Sequence, residues 1–218
     1  MNFIYHSEVS IPQGMVSVQG ELWVPENANG IILFAHGSGS SRHSTRNKQV
    51  ASYLHTKKFG TLLFDLLTVE EDFEYSNRFD IGLLTTRLVN TTLWLEGLDI
   101  LKGKKIGYFG ASTGAASALQ AAARLPQIGA VVSRGGRPDL AMDILPLVKA
   151  PTLLIVGELD TGVINLNKLA QQKLACTNEM VLVRGATHLF EEGGKMEEVA
   201  ELAGNWFKKY LSAVAAYE

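Results

Sequence analysis

Short apolar runs alternate along the chain with segments of helical length. Six of these runs are rich in Val, Ile, Leu and Phe, as buried strands are; they span residues 30–35, 61–64, 106–109, 128–133, 152–156 and 180–183. The segments between the runs have the length and apolar periodicity of helices. Because strands that alternate with helices usually form a parallel sheet with helices on both faces, the pattern predicts the α/β fold class.

The two ends of the chain extend this pattern. Residues 8–11 and 15–24 predict two further strands, joined through 12–14 and paired antiparallel at one edge of the sheet, which makes about eight strands in all. Near the other end, apolar residues recur three or four positions apart and predict a helix that packs on the sheet. These residues are Met196, Val199, Ala200, Ala203, Trp206, Phe207 and Tyr210.

Residues 68–80 interrupt the alternation of strands and helices. The stretch carries the acidic side chains Glu70, Glu71, Asp72 and Glu74, together with Phe73 and Tyr75. A solvated loop is the favoured prediction for it, and a lid over a substrate is the alternative.

Composition and charge narrow the partners. With 218 residues, of which 46% are hydrophobic, the chain can bury the core of one domain, so residues 1–218 are expected to form a single unit. A net charge of -2 gives no basic excess for a nucleic acid, and no apolar stretch is long enough to span a bilayer. Residues 1–8 do not read as a signal peptide, and Cys176 has no partner for an internal disulfide, so we expect a cytoplasmic protein.

A serine follows the apolar run at 106–109. The sequence Gly110-Ala111-Ser112-Thr113-Gly114 has the pattern of a nucleophile elbow, in which a strand turns sharply into a helix and presents a serine hydroxyl. The alternative is that Ser112 only caps the Ala-rich helix that follows. A serine hydroxyl is a weak nucleophile at neutral pH, so the catalytic hypothesis requires a base and a carboxylate that orients the base.

Both partners are present after later strands. Asp160 follows the run at 152–156, and His188 follows the run at 180–183. The chain order Ser, Asp, His is that of α/β hydrolases, and the carboxyl ends of parallel strands meet at one edge of the sheet. We therefore predict a catalytic triad of Ser112, Asp160 and His188.

The turn at residues 36–41 supplies the predicted oxyanion hole. It follows the run at 30–35, so the backbone amide of Ser38 is expected to face the cleft opposite the amide of Thr113. His36 is expected to order this turn by hydrogen bonding. A phosphate-binding loop is the competing interpretation, but Arg42 stands where GxGxxG requires its third glycine. Without a cluster of Cys, His, Asp or Glu at ligand spacing, neither a metal nor a cofactor is expected.

Two arginines follow the run at 128–133, again at the predicted catalytic edge. Arg134 and Arg137 could bind a carboxylate or phosphate of the substrate through forked hydrogen bonds. Alternatively, they pair with Asp139 and Asp143 and order the loop. Both hypotheses stay open, with a slight preference for the structural one.

These motifs together resemble the α/β hydrolases, and within them the small branch similar to dienelactone hydrolase. The resemblance covers nearly the whole chain and is carried by residues 36–40, 110–114, 157–160 and 186–188. It implies a mostly parallel eight-stranded sheet with a minimal cap or none, since only residues 135–150 stand where larger members insert a cap domain. Dienelactone hydrolases proper use a cysteine nucleophile, whereas this elbow carries Ser112.

The stretch Ser-Arg-Gly-Gly-Arg-Pro-Asp-Leu at 133–140 resembles a subgroup that is often encoded with, or fused to, phosphoribosyltransferase domains. That resemblance implies an association with a phosphoribosyltransferase. The predicted function is a serine carboxylesterase that acts on small acyl esters through an acyl-enzyme, with thioesters, lactones and anionic esters as variants. The alternative is a noncatalytic binding or scaffold domain that serves a phosphoribosyltransferase.

Overall fold

Eight strands form one sheet in the computed structural model, which describes residues 2–212. The strands are β1 (Phe3–Pro12), β2 (Ser17–Pro25), β3 (Gly30–Ala35), β4 (Phe59–Phe64), β5 (Ile106–Ala111), β6 (Ala130–Arg134), β7 (Thr152–Gly157) and β8 (Asn178–Val183). Their order across the sheet is β1-β2-β4-β3-β5-β6-β7-β8. The pairs β1/β2 and β2/β4 are antiparallel, and every other neighbouring pair is parallel, which confirms the predicted fold class.

Helices cover both faces of this sheet. They are α1 (Thr45–Thr56), α2 (Val69–Asp72), α3 (Ile81–Glu96), α4 (Thr113–Arg124), α5 (Thr161–Lys173) and α6 (Lys195–Leu211). Successive side chains of a strand point to opposite faces. Accordingly, Ile32 of β3 lies in the core beneath α1 and α6, whereas its neighbour Ile31 lies in the core beneath α3, α4 and α5. The central strands are buried on both faces, which explains their continuous apolar sequences.

The final helix buries the apolar stripe that its sequence predicts. Val199 and Phe207 of α6 are fully buried, and Trp206 donates its indole N–H to the carbonyl oxygen of Pro151. Among residues 2–212, no helix combines the length and apolar character needed to cross a membrane.

The edge strand β1 begins five residues earlier than the sequence predicts. Its first half, residues 3–7, has no buried residue and contains the polar His6 and Ser7, which hides the strand in a search for apolar runs. Aromatic contacts across the hairpin extend it, because His6 stacks on Trp23 with ring centroids 3.2 Å apart and Phe3 meets the edge of the same indole at 4.9 Å.

Residues 68–80 are solvated, as the favoured prediction states, but they are helical and not a loop. They form α2 and a 3-10 helix at Tyr75–Phe79, and neither contains a buried residue. Thr68 and Glu71 cap α2 reciprocally in a capping box. Arg78 binds the Asp72 carboxylate through Nε and Nη2, both at 2.8 Å, so local polar contacts specify this segment.

His55 of α1 makes the stability of the fold depend on pH. Burial, assisted by the nearby His6, lowers the pKa of His55 to about 4. In the unfolded chain a histidine has a pKa of about 6.5. Between about pH 6.5 and 4, the unfolded state therefore binds a proton that the native state does not. Stability therefore falls as the pH falls through this window. Thermal unfolding midpoints measured from pH 7.5 to 4 should decline less steeply for His55→Gln than for wild type.

The control for this prediction is His43→Gln, because the His43 side chain is exposed. Its midpoints should follow the wild-type curve. Parallel curves for wild type and His55→Gln would show that His55 does not supply the pH dependence.

Candidate active site

Ser112 lies at a strained turn between β5 and α4. Its φ is 50° and its ψ is −122°, in a region that costs a non-glycine residue about 1 to 3 kcal/mol. Two glycines permit the tight passage from strand to helix. A Cβ atom on Gly110 would come within 2.5 Å of the Ala115 Cα, and one on Gly114 within 2.1 Å of the Ala35 carbonyl oxygen. Strand, serine and helix thus follow one another as the motif requires.

The backbone of Ser112 is held from two sides. Its N–H donates to the carbonyl oxygen of Arg134 at the end of β6, at 3.2 Å. Its own carbonyl oxygen accepts from the amides of Ala115 and Arg137, at 3.0 and 3.1 Å. These contacts on both sides of the elbow fix the direction of the partly exposed Ser112 side chain.

His188 and Asp160 form a close pair. Asp160 follows β7 and His188 follows β8, and the His188 Nδ1 lies 2.6 Å from the Asp160 Oδ2. The Leu159 amide donates to the Ala186 carbonyl oxygen at 3.0 Å, which ties the two loops together. A carboxylate on Nδ1 fixes the tautomer that leaves Nε2 free to accept a proton. The imidazole lines the same cavity as Ser112.

His36 orders the turn that faces the elbow. The Leu66 amide donates to the His36 Nε2 at 3.0 Å, so this nitrogen is the acceptor and the ring proton is on Nδ1, which lies 3.0 Å from the Gly37 carbonyl oxygen. Burial lowers the pKa of His36. A neutral imidazole that bridges two backbone segments has the ordering role that the sequence predicts.

Ser38 and Thr113 lie next to each other beside the elbow. The Ser38 amide donates to the Thr113 Oγ1 at 3.0 Å, a contact that sequence reasoning did not anticipate because it assigned that amide to the open cleft. The Thr113 amide is in the first turn of α4, where N–H groups lack intrahelical acceptors. Gly37 backs the nucleophile, since a Cβ there would lie 3.0 Å from the Ser112 Cβ.

The cleft above Ser112 is a cavity of about 210 Å³. Its lining includes Ser38, Ser112, Arg134 and His188, together with Arg46 of α1. Sequence reasoning did not select Arg46. The sequence does contain an indication of it. Arg46 is in the first turn of α1, where a positive charge is unfavourable because the helix dipole is positive at that end.

The two arginines after β6 differ in their surroundings. Arg137 binds the Asp139 carboxylate through Nε at 2.9 Å and Nη2 at 2.8 Å, the loop-ordering contact that the sequence offered as one alternative. Arg134 is 4% exposed and lines the cavity. Burial, together with the nearby charge of Arg46, lowers the pKa of Arg134 to about 10. The guanidinium is still charged at neutral pH.

Between residues 2 and 212, no group of three or more His, Cys, Asp or Glu side chains is arranged to hold a metal ion.

Comparison with known proteins gives consistent results for sequence and structure. Residues 25–217 match the model of the dienelactone hydrolase family. The crystal structure of dienelactone hydrolase from Anabaena variabilis superposes with a TM-score of 0.92 and 51% identity, covering 95% of this chain and 98% of that one. Est1E from Butyrivibrio proteoclasticus, at 15% identity and a TM-score of 0.80, covers 93% of this chain and 98% of its own and shares the fold.

Two curated relatives come from strains of Mycobacterium tuberculosis. Each is 54% identical over 206 residues, and each has a name that suggests a phosphoribosyl transferase. The match covers 94% of this chain but 46% of each relative, so the chain spans about half the length of these proteins.

Proposed function

The chain belongs to the dienelactone hydrolase family and is a hydrolase of the α/β type, and we propose that it cleaves small carboxylic esters, thioesters or lactones with Ser112 as nucleophile. One observation carries the proposal: a serine held at a positive φ shares a cavity with a histidine whose Nδ1 lies 2.6 Å from a carboxylate. Strain of this kind has no value for a helix cap, and it concentrates at functional sites.

The proposed reaction begins with proton transfer. His188 Nε2 accepts the proton of the Ser112 hydroxyl as Oγ attacks the acyl carbon, and Asp160 stabilises the resulting imidazolium. The tetrahedral intermediate collapses when His188 returns the proton to the leaving alcohol or thiol, which leaves Ser112 acylated. A water molecule, deprotonated by the same imidazole, then attacks the acyl carbon, and His188 returns the proton to the Ser112 Oγ as the acid is released.

The negative charge on the tetrahedral oxygen needs hydrogen-bond donors. The amide of Thr113 at the start of α4 is the first donor that we propose, since it has no intrahelical acceptor and lies at the positive end of the helix dipole. The second donor that we propose is the amide of Ser38, which has to exchange its hydrogen bond to the Thr113 hydroxyl for one to the tetrahedral oxygen. Loss of one such donor typically costs about 3 to 4 kcal/mol of barrier.

The size of the cavity supports a small substrate. A volume of about 210 Å³ is below the range of about 300 to 1,000 Å³ that is usual for sites of drug-sized ligands. Between β6 and β7 the chain makes only two short 3-10 helices, Pro138–Ala141 and Leu145–Leu147. The cleft therefore has a minimal cap, which suits short or varied acyl groups.

A noncatalytic domain that serves a phosphoribosyltransferase is the competing proposal. The name of the curated relatives and their greater length favour a neighbouring second domain in those proteins. A scaffold, however, requires neither the strained Ser112 nor the Asp160–His188 pair. Both proposals predict a folded protein, and they differ in whether Ser112 reacts.

Labelling with a fluorophosphonate probe tests the proposal. We expect the folded wild type to form a covalent adduct, mapped by peptide mass spectrometry to Ser112, because only an activated serine attacks such probes rapidly. Ser112→Ala should not be labelled, whereas Ser10→Ala, at an exposed position of β1, should be labelled like wild type. Folded wild-type protein that stays unlabelled would favour the scaffold.

A further inference from the structure

Arg134 is a buried cation in the candidate active site. It is the last residue of β6, next to Ala111 in the sheet register, and its carbonyl oxygen accepts from the Ser112 amide at 3.2 Å. Its side chain lines the cavity that contains Ser112 and His188. The guanidinium carbon lies 5.8 Å from the centre of the Phe190 ring, which is itself fully buried.

No carboxylate among residues 2–212 forms an ion pair with Arg134, and its Nε is buried without a hydrogen-bond partner. The other seven arginines of the chain are less buried than Arg134, and two of them, Arg124 and Arg184, are exposed to solvent. Five of them pair with a carboxylate, namely Arg42, Arg46, Arg78, Arg87 and Arg137. Arg134 is thus the buried arginine that the described residues leave without an anion.

An unpaired buried cation is expensive. Moving a charged group out of water is strongly unfavourable unless an opposite charge and hydrogen bonds compensate. The ring of Phe190 compensates in part through a cation–π contact. Arg46 adds to the cost, because it lines the same cavity and is also positive.

The second arginine is partly satisfied. Arg46 binds Glu191 through Nη1 at 2.5 Å, while its Nε is buried without a partner. Two guanidinium groups therefore border the small cavity that contains the nucleophile. Arg46 is paired with a carboxylate, and Arg134 is not. A guanidinium fork matches the spacing of two oxygens on a carboxylate or phosphate.

We infer that Arg134 binds a negatively charged oxygen group of the substrate, so that the preferred esters are anionic. This inference rests on the proposed esterase function and names its substrate class. The anion is a carboxylate or a phosphate within reach of the acyl carbon that Ser112 attacks. The size of the cavity limits the spacer between ester and anion to a short chain.

A matched pair of substrates tests the inference. Ethyl hydrogen succinate carries a carboxylate where ethyl isocaproate carries an isopropyl group of similar shape, and proton release in a pH-stat measures turnover of both. Arg134→Met should lower kcat/KM for the succinate ester about 10- to 100-fold, as loss of charge-assisted hydrogen bonds does, and change it less than about threefold for the neutral ester. The control Arg124→Met, at an exposed position of α4, should change neither.

Free anions distinguish the two sources of charge. Succinate and inorganic phosphate are each added to the neutral-ester assay, and the stronger inhibitor identifies the preferred anion. Inhibition should disappear in Arg134→Met. If neither anion inhibits wild type, or if both inhibit Arg134→Met equally, the inference is wrong.

Thermal unfolding separates binding from support of the fold. Arg134→Met should unfold at the wild-type temperature or above, because it removes an uncompensated buried charge. A large decrease would overturn the inference in favour of a structural role.

Succinate or phosphate should raise the thermal unfolding midpoint of Ser112→Ala but not that of Ser112→Ala combined with Arg134→Met. This binding readout holds even if no ester is cleaved, an outcome that would contradict the proposed function alone. Turnover that needs Ser112 but shows an equal effect of Arg134→Met on both esters would contradict the inference alone.

Discussion

Asp160→Asn should lower kcat for short neutral esters by about 10³- to 10⁴-fold while leaving the fold intact. The carboxylate accepts the proton on the His188 Nδ1, at 2.6 Å, and so keeps Nε2 free to deprotonate Ser112. An asparagine amide can instead donate to Nδ1, which places the ring proton on Nε2 and blocks it as a base. Without the carboxylate, the imidazolium formed in the transition state also loses its counter-charge.

Steady-state turnover of p-nitrophenyl acetate measures this effect. Asp143→Asn is the matched control, because Asp143 is exposed in the connection between β6 and β7. It should keep wild-type kcat, and both variants should unfold within a few degrees of wild type. If Asp160→Asn retained more than about a tenth of wild-type kcat, another group would be orienting His188, and the proposed triad would be wrong.

Much of the fold could be predicted from the sequence because the central strands are buried on both faces. A strand such as β3 has only apolar positions, so its residues 30–35 are identified without reference to the rest of the chain. The first half of β1 could not be found in this way. Its pairing depends on contacts with Trp23 in the next strand, which are absent from any local pattern.

The candidate site, too, has features that local sequence predicts and features that it does not. The sequence predicts Ser112, Asp160 and His188 as candidates because each follows a strand and the carboxyl ends of parallel strands meet at one edge of the sheet. The hydrogen bond between the Ser38 amide and the Thr113 hydroxyl depends on two side-by-side segments that are 75 positions apart, so no local pattern contains it. The lack of a hydrogen-bond partner for the Arg134 Nε could not be predicted either, because it depends on the positions of all the neighbouring side chains.

The elbow imposes a strict packing requirement at Gly114. A Cβ atom on Gly114 would lie 2.1 Å from the Ala35 carbonyl oxygen and 2.4 Å from that of His36. Both atoms belong to the backbone of the segment that leads from β3 into the Ser38 turn, so no side-chain rotation can relieve the overlap. Gly114 is buried, and α4 would have to move away from β3 to accept a methyl group there.

Gly114→Ala should therefore destabilise the protein by about 3 kcal/mol or more, at or above the upper end for overpacked cores. For a chain of this length, such a loss lowers the thermal unfolding midpoint by about 6 to 12 °C, measured by calorimetry or circular dichroism. Gly162→Ala in α5 is the matched control, since a Cβ there meets nothing within 4 Å. Because alanine favours a helix over glycine by about 1 kcal/mol, this control should unfold at the same temperature or higher. Equal midpoints for the two variants would mean that α4 can shift at little cost, and the close approach of helix and strand would not be what holds Ser112 in its strained conformation.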